Sequence, residues 1–363
     1  MFLTGSTSLS AERILADSVK LLGLGTAVPE HILYQADIEA VAAKIFAERM
    51  VHFTRLLPVY QNTGIVKRHF VRPMDWFFSP RGWSERMDTY LEEALALFMA
   101  SANKALVAAG LRGSDIDTVV TISSTGIATP SLEARAAIAM GFRSDIQRVP
   151  VFGLGCAGGV SGLAIARNMA LARPGSRVLV VAVETCSLAF RLEDVGIADV
   201  VASSLFADGA AACVLSAGKE GVAELTDSGE YLWPNTLNIM GWRTDSIGLG
   251  VIFDRDIPPF AEANVGPAID AILARSGRSR GDIDRFIAHP GGAKVVAAIE
   301  RGLVLESGSL DHERAVLADY GNMSAPTVLF VLERVLAAGL PARTALIGLG
   351  PGFTASCVTL QAL

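Results

Sequence analysis

Short, almost wholly apolar runs alternate along the chain with longer stretches of helical periodicity. The clearest runs lie at residues 177–183, 210–215 and 343–348, and each has the length of a strand. Strands buried on both faces of a sheet have such continuous apolar sequences, and their alternation with helices is typical of α/β proteins. The pattern therefore predicts an α/β fold. No uncharged apolar run reaches about 18 residues, so we expect no membrane span.

Several sequence landmarks occur twice, at an almost constant offset. The stretch from Cys156 to Arg177 has the same length as the stretch from Asn322 to Arg343. The triplet Asp-Ile-Asp occurs at 115–117 and again at 282–284, each time just before an apolar run. A spacing that is kept over three landmarks indicates an internal duplication.

The duplication predicts two α/β halves, each with its own sheet, and helices packed between the two sheets. A polar break at 216–220 follows the second apolar run. We therefore divide the chain into an N-terminal half, 1–217, and a C-terminal half, 218–363. Residues 30–100 fit the repeat poorly and are interpreted as an insertion or a helical cap.

Composition and charge narrow the range of functions. The chain has 363 residues, of which 51% are hydrophobic and 19% charged, so it is neither disordered nor a small disulfide scaffold. The net charge of −6, without a stripe of Lys and Arg, argues against a nucleic-acid partner. The N-terminal residues lack the basic and apolar regions of a secretion signal, and the four cysteines lack metal-ligand spacing. We expect a cytoplasmic protein without a metal site.

Cys156 is the strongest candidate for a nucleophile. It lies among four glycines, in Gly153-Leu154-Gly155-Cys156-Ala157-Gly158-Gly159, at the predicted start of a helix. A thiol at a helix N-terminus near a protonated imidazole has a lowered pKa and reacts as a thiolate. The alternative is a buried cysteine beside glycines that pack helices. The remaining cysteines lack such surroundings and are expected to be buried structural residues: Cys186, Cys213 and Cys357.

The duplication brings two further polar residues towards Cys156. His289 ends a predicted strand and is followed by Pro290-Gly291-Gly292, a turn that presents the side chain before it. Asn322 occupies the position equivalent to Cys156 and is either a helix cap, an oxyanion donor, or both. The other histidines are expected to be surface or structural residues: His31, His52, His69 and His312. A Cys–His–Asn set does not define one reaction, because papain-like proteases also use it.

Six segments, in order along the chain, resemble those of type III polyketide synthases, the chalcone and stilbene synthase-like branch of the thiolase superfamily. They are Asn62-Thr63-Gly64-Ile65, Gly155-Cys156-Ala157-Gly158-Gly159, Leu205-Phe206-Ala207-Asp208-Gly209-Ala210-Ala211, His289-Pro290-Gly291-Gly292, Gly321-Asn322-Met323-Ser324 and Gly348-Leu349-Gly350-Pro351-Gly352. Each segment alone is a weak signal, but six in order cover nearly the whole chain. Leu349 stands where the family usually has Phe.

The resemblance implies a homodimeric, thiolase-like αβαβα fold with an internal cavity. It also implies that Cys156 carries the growing acyl chain as a thioester and that His289 stabilises its thiolate. His289 and Asn322 would hold the thioester carbonyl of malonyl-CoA, whose loss of CO₂ gives an enolate. CoA thioesters are then the substrates, and no cofactor is needed.

The resemblance also suggests further substrate-binding residues. Phe206 falls at the family's gatekeeper position, although it also fits an ordinary core Phe, and Val251 at a second gatekeeper position predicts a wider cavity. Small residues at Ser124 and Thr129 suggest room for a long fatty acyl starter, with Thr129 reaching the partner subunit. The remaining candidates are the tail loop, Gly350, Pro351 and Gly352, and four basic residues for CoA, Arg55, Lys67, Arg68 and Lys294.

These features resemble bacterial alkylpyrone or alkylresorcinol synthases more than plant chalcone synthases. A pyrone or resorcinol product is expected, while the starter, the number of extensions and the cyclisation depend on cavity shape. One alternative is a ketoacyl synthase III-like enzyme, which typically has His-Gln-Ala-Asn where this chain has His289-Pro290-Gly291-Gly292. A second is an inactive acyl-binding scaffold, which would be expected to lose one of the three polar residues.

Overall fold

The computed structural model describes residues 18–47, 50, 53–192 and 195–363. Its strands are β1 Val19–Ala27, β2 His31–Tyr34, β3 Lys67–Phe70, β4 Thr118–Ile122, β5 Gln147–Val151, β6 Arg177–Thr185, β7 Asp208–Ala217, β8 Ala223–Leu232, β9 Met240–Asp245, β10 Gly248–Phe253, β11 Arg285–Ala288, β12 Arg343–Gly350 and β13 Thr354–Ala362. Its helices are α1 Gln35–Ala47, α2 Pro58–Gln61, α3 Trp83–Ala108, α4 Leu132–Met140, α5 Gly158–Ala172, α6 Ile197–Leu205, α7 Ile257–Ala274, α8 Ala293–Leu303, α9 Asp311–Tyr320 and α10 Thr327–Ala338.

The strand order shows the duplication. Among the described residues the main sheet runs β5-β4-β6-β7-β1-β8-β13-β12-β11, so β4-β6-β7-β1 of one half mirrors β11-β12-β13-β8 of the other. In both halves the first of these pairs is parallel and the second antiparallel. β4 begins at Thr118 and β11 at Arg285, almost the same offset as that between Cys156 and Asn322. The predicted α/β fold built from two related halves is confirmed, and the proposed division after 217 coincides with the end of β7.

The two sheets are joined, whereas the sequence predicted separate ones. β1 pairs with β8 through three residue pairs, from Val19 opposite Leu225 to Leu21 opposite Ala223. The hydrophobic pattern cannot show this contact, because strands at the edge and in the middle of a sheet have similar apolar sequences.

Five layers follow from how the apolar faces are covered. Helices α3 and α4 pack on the outer face of the N-terminal sheet, where Phe98 and Leu132 belong to the same buried cluster as Leu179 and Val181. Helices α5 and α10 form the central layer, and α7 and α8 cover the outer face of the C-terminal sheet. Burying both faces of each sheet explains why β4, β6, β7 and β12 are almost entirely apolar, whereas β5 and β8 are more polar and partly exposed.

Part of the segment predicted as an insertion belongs to the repeat. Helix α3 covers the outer face of the N-terminal sheet, as α7 covers the outer face of the C-terminal sheet. The two helices end at Ala108 and Ala274, and the same offset relates Cys156 to Asn322. The remaining elements of this region, α1, α2 and the antiparallel pair of β2 and β3, add a separate wall next to α6. No helix in the described part of the chain is long and apolar enough to span a bilayer.

Candidate active site

Cys156 lies in a single 3₁₀ turn, Gly155–Ala157, that runs directly into α5. Gly155 has a φ of 47°, and a Cβ there would lie 2.7 Å from the ring of Pro351. A Cβ at Gly350 would lie 2.6 Å from the Ala157 Cβ. The tail loop therefore packs tightly against the cysteine turn, and glycine is required on both sides of the contact. Gly350 and Pro351 thus shape the position of the thiol.

A second close contact joins α5 to the segment that carries Asn322. A Cβ at Gly159 would lie 2.2 Å from the backbone oxygen of Ala325. Across this contact the Cys156 Sγ lies 3.6 Å from the Ser324 Oγ. The glycines after Cys156 thus let the two halves of the chain meet at the thiol.

Asn322 is fixed by its backbone rather than by a helix. It forms an isolated bridge with Phe206, in which its N–H donates to Leu205 and its carbonyl accepts from Ala207, both at 2.9 Å. Its Oδ1 accepts the Ser324 N–H at 2.8 Å. Helix α10 begins at Thr327 with Pro326 as its N-cap. The reading of Asn322 as a helix cap is therefore wrong.

The Asn322 amide also contacts the turn that carries His289. Its Nδ2 donates to the backbone oxygen of Gly291 at 3.2 Å. An amide nitrogen has two N–H groups, so one remains for another acceptor. That same side chain lowers the pKa of the Cys156 thiol through a hydrogen bond. Asn322 thus links the cysteine and histidine segments.

His289 follows β11 directly and extends its ladder, because its N–H donates to Ile347 at 2.9 Å. The side chain is buried, and neither ring nitrogen has a hydrogen-bond partner in the described part of the chain. Buried polar atoms are nearly always paired, so two unpaired nitrogens on one ring indicate a place for polar atoms of a substrate.

Burial favours the uncharged forms of both Cys156 and His289. Burial raises the pKa of the Cys156 thiol to about 11, against the lowering effects of Ser324 and Asn322. Burial lowers the pKa of His289 to about 4. The sequence analysis expected a lowered thiol pKa beside a protonated imidazole, and both shifts have the opposite direction. The reason is that removal from water penalises the thiolate and the imidazolium separately. Two opposite charges formed side by side in such surroundings would compensate each other.

Glu184 is a buried residue near the site that the sequence analysis missed. Its Oε2 accepts the Ser124 N–H at 2.9 Å and the Thr125 hydroxyl at 2.7 Å, and burial raises its pKa to about 8. The Ser124 hydroxyl in turn accepts the N–H groups of Gly153 and Gly155 at 3.1 and 3.3 Å. The signal in the sequence that could have identified Glu184 is a single acidic residue at the end of a buried, apolar strand.

Asp208 supports the same region from β7. Its carboxylate accepts the backbone N–H groups of Val71 and Ser187, both at 2.8 Å, and burial raises its pKa to about 6. It thereby ties together three segments that lie next to Phe206. Its motif was quoted for the resemblance, but its own role was not predicted.

The candidates for the cavity wall separate into two groups. Phe206 and Val251 line an apolar cavity between α1, α6 and β10. Ser124 is occupied in holding the cysteine turn and is not part of that wall, while Thr129 is exposed and precedes Pro130. Phe253, which was not predicted, packs edge to face on Phe206 with ring centroids 6.2 Å apart.

The four basic candidates for CoA binding lie in different environments. Arg55 and Lys294 are exposed and Lys67 is half-buried. Arg68 has no exposed surface and donates through Nη1 to the Phe206 carbonyl at 2.7 Å. Because CoA phosphates stay in water, the predicted phosphate-binding role of Arg68 does not fit its position and is corrected. The described residues contain no group of His, Cys, Asp and Glu that would hold a metal ion.

Of the other histidines, His69 is buried, with its Nδ1 paired to Pro29 and its ring stacked on Tyr320. His31 is partly exposed and lies near Glu30. His69 therefore has a structural role, as predicted. His52 lies outside the described residues.

Comparisons with known proteins identify the family. The model of the chalcone and stilbene synthase N-terminal domain matches residues 8–219, and that of the C-terminal domain matches 224–363. The chain belongs to the chalcone and stilbene synthase family. It is a type III polyketide synthase, an acyltransferase that forms carbon–carbon bonds by Claisen condensation, and such enzymes use acyl-CoA and malonyl-CoA.

Bacterial proteins are among the relatives of this type III polyketide synthase. A 1,3,6,8-tetrahydroxynaphthalene synthase of Streptomyces peucetius subsp. caesius is 35% identical and covers 98% of this chain and 96% of its own length. The alpha-pyrone synthesis polyketide synthase-like Pks18 of Mycobacterium tuberculosis is 30% identical, with 92% and 88% covered. The crystal structure of the tetrahydroxynaphthalene synthase of Streptomyces coelicolor A3(2) superposes with a TM-score of 0.90 at 30% identity, with 94% and 99% covered. The thiolase-like fold is thereby confirmed.

Proposed function

We propose that this type III polyketide synthase loads a fatty acyl chain from CoA onto Cys156. It then extends that chain with malonyl units and releases a pyrone or resorcinol-type product. The observation that supports this function most strongly is the apolar cavity beside Phe206. Its wall is mostly apolar, and the apolar side chains in it are those of Ile38, Val41, Ala42, Ile45, Phe46, Phe70, Met74, Phe77, Ala189, Phe190, Ala202, Phe206, Trp242 and Val251.

Two contacts relate this cavity to the thiol. Phe206 lies in its wall and pairs through its backbone with Asn322. Cys186 also lies in the wall, and its pKa is raised by burial and by the nearby Glu184, Asp208 and Cys156. An alkyl chain gains about 0.8 kcal/mol for each CH₂ group that it buries, so such a wall favours long starters.

Loading begins when the Cys156 proton passes to His289. The thiolate attacks the thioester carbonyl of acyl-CoA, and the CoA sulfur leaves and takes the proton from the imidazolium. A new thioester on Cys156 results, and the neutral imidazole is regenerated. The buried surroundings favour this neutral resting pair at neutral pH.

In the extension step, Asn322 and His289 stabilise the negative charge that develops on the thioester oxygen of malonyl-CoA. The thioester oxygen of malonyl-CoA accepts hydrogen bonds from the remaining Asn322 N–H and from His289. Loss of CO₂ leaves an enolate, whose carbon attacks the Cys156 thioester, forms the carbon–carbon bond and frees the thiolate. Donors placed where negative charge develops stabilise the transition state. Because CO₂ loss generates the carbanion, the proposed reaction needs no cofactor.

We also propose that the enzyme is a homodimer in the cytoplasm, where CoA thioesters are available. An exposed apolar surface next to Thr129, the residue predicted to reach the partner subunit, supports the dimer. The side chains of Ile127 and Phe152 are exposed there and line one surface groove. Light scattering with size-exclusion chromatography measures the mass directly. A monomer at micromolar concentration would contradict the dimer.

A panel of starters tests the proposed function. The protein is incubated with acetyl-, hexanoyl-, dodecanoyl- or hexadecanoyl-CoA and isotope-labelled malonyl-CoA, and products are identified by mass spectrometry. We expect pyrone or resorcinol-type products that carry the long alkyl chains. A product formed equally well without any added starter, such as the tetrahydroxynaphthalene in the names of three relatives, would contradict the fatty acyl proposal.

A variant of the cavity wall sharpens this test. Val251 is half-buried, and a phenylalanine there narrows the cavity. We expect Val251→Phe to raise KM for hexadecanoyl-CoA and to leave that for hexanoyl-CoA nearly unchanged. Val107→Phe, on the exposed face of α3, is the matched control. Equal losses for all starters would contradict the role of the cavity.

A further inference from the structure

Arg68 is a fully buried cation in the wall of the apolar cavity. Its stem passes over Gly321, where a Cβ would lie 2.7 Å from the Arg68 Cγ. Its guanidinium lies 5.2 Å from the ring centroid of Phe70 and donates through Nη1 to the Phe206 carbonyl at 2.7 Å. The head of the side chain is therefore held at the position where Phe206 pairs with Asn322.

Most of the hydrogen-bonding capacity of this guanidinium is unused. Its Nε and Nη2 are buried and have no hydrogen-bond partner within the described ranges. Burial lowers its pKa to about 10, while Tyr60 and Asp208 favour the charged form. Arg68 thus stays protonated at neutral pH. An unpaired buried donor is costly, and most such groups in proteins have a partner.

The rest of the cavity wall offers little to pair with a polar ligand. The Tyr60 hydroxyl and the Ser203 hydroxyl bond to each other at 2.6 Å. The Ser187 hydroxyl is directed to Asp208, and one Asp199 oxygen accepts the Gly196 N–H. Arg68 is consequently a cation in the wall of a mostly apolar cavity whose donors Nε and Nη2 have no partner in the part of the chain that the structure describes.

We infer that Arg68 forms an oxygen-binding subsite inside the acyl cavity, where Nε and Nη2 donate hydrogen bonds to keto or enolate oxygens of the growing chain. The inference rests on the proposed function, because it concerns the chain carried by Cys156. It replaces the CoA-phosphate role suggested by the sequence.

The chemistry of extension explains why a cation is useful there. An alkyl starter carries no acceptor beyond its thioester, but each extension adds a keto oxygen. In a purely apolar cavity, every added oxygen would lose its hydrogen bonds to water. A guanidinium restores them and also favours the enolate form, since hydrogen bonds to a charged group are the stronger ones. Arg68 would therefore determine how many extensions the cavity accepts.

Product length tests this subsite and separates it from a structural role. We expect Arg68→Met to shift products from tetraketides towards triketides at least tenfold, with Arg68→Lys intermediate. Acyl loading and CO₂ release from malonyl-CoA are expected to change little. Arg167→Met is the matched control, because Arg167 also donates to backbone carbonyls but lies on α5, outside the cavity wall. An unchanged length distribution would overturn the inference, as would losses of loading, CO₂ release and product in parallel.

A binding measurement covers the case in which the Met variant does not fold. Hexadecanoyl-pantetheine amide and its 3,5-dioxo counterpart are compared by calorimetry on the wild type and on Arg68→Lys. We expect the dioxo compound to bind the wild type about tenfold more tightly, with the preference reduced in the variant. Equal binding of both compounds to the wild type would overturn the subsite. Binding of neither would instead contradict the proposed acyl cavity, and with it the inference.

Discussion

The two halves of the molecule share a framework and differ at the ends of equivalent elements. In the N-terminal half, α5 follows directly from the turn of Cys156. In the C-terminal half, α10 begins only after the bridge that fixes Asn322. The framework itself is equivalent, because Asp117 and Asp284 each accept the first N–H of the neighbouring strand, at 2.8 and 3.0 Å.

This difference shows how a duplicated fold produces an asymmetric site. The repeat sets where strands and helices end, and the loops at those ends decide the chemistry. One half supplies a thiol in a glycine-rich turn, and the other supplies His289 and Asn322. Neither half alone holds all three groups.

The largest effect is expected at the nucleophile. Cys156→Ala should abolish condensation while the circular dichroism spectrum and melting temperature stay close to those of the wild type. Peptide mass spectrometry after incubation with acyl-CoA should find one adduct in the wild type and none in the variant. An adduct on Cys186, Cys213 or Cys357 would contradict the assignment.

The next largest effect is expected at His289, the residue of the C-terminal half that we propose accepts the proton of the Cys156 thiol. Burial raises the pKa of Cys156 to about 11, against the lowering hydrogen bonds of Ser324 and Asn322, and His289→Gln removes the base that we propose takes up the thiol proton. A raised thiol pKa lowers the thiolate fraction at pH 7, so alkylation by iodoacetamide should slow about 10²-fold or more in His289→Gln. The rate should then rise about tenfold with each pH unit between 7 and 9. A rate equal to that of the wild type would show that the two groups act independently.

A smaller effect separates loading from decarboxylation. Asn322→Ala should still be acylated on Cys156, because proton transfer to His289 remains possible. Release of CO₂ from malonyl-CoA should fall roughly 10²–10³-fold, the usual loss when one oxyanion donor is removed. Trapping of labelled CO₂ measures this step alone. Unchanged release would restrict Asn322 to its backbone bridge with Phe206.

The smallest effects are expected in the shared framework. Burial raises the pKa of Asp117, but hydrogen bonds from Arg177 and Arg143 outweigh it and lower the value. The Arg343 hydrogen bond likewise lowers the pKa of Asp284. Such stabilisation is present above the unfolded pKa of about 3.9 and is lost as pH falls through the folded value.

Alanine at either Asp should therefore lower the melting temperature at pH 7, and the difference from the wild type should shrink below pH 4. We expect about 1 kcal/mol for Asp117, with a smaller change for the more exposed Asp284. Acylation of Cys156 should be unaffected. A loss of acylation in either variant would mean that these aspartates do more than hold the framework.

The sequence was sufficient for the fold class, the duplication and the meeting of the three segments, but not for the β1–β8 pairing that joins the two sheets. Constant spacing placed Cys156 and Asn322 at equivalent positions, and glycines marked the close contacts that join them. Positions that depend on side-chain packing were not accessible. Ser124 was expected in a cavity wall but holds the cysteine turn, and Arg68 was expected at the surface but is buried. A short apolar or basic stretch does not show which face of an element is covered.

The most direct test of the account is a crystal structure of the protein after incubation with hexadecanoyl-CoA. The account predicts a thioester on the Cys156 Sγ whose alkyl chain passes Phe206 and lies against α1 and Val251. An acyl group on another cysteine, or a chain on Cys156 that leaves this cavity empty, would contradict it.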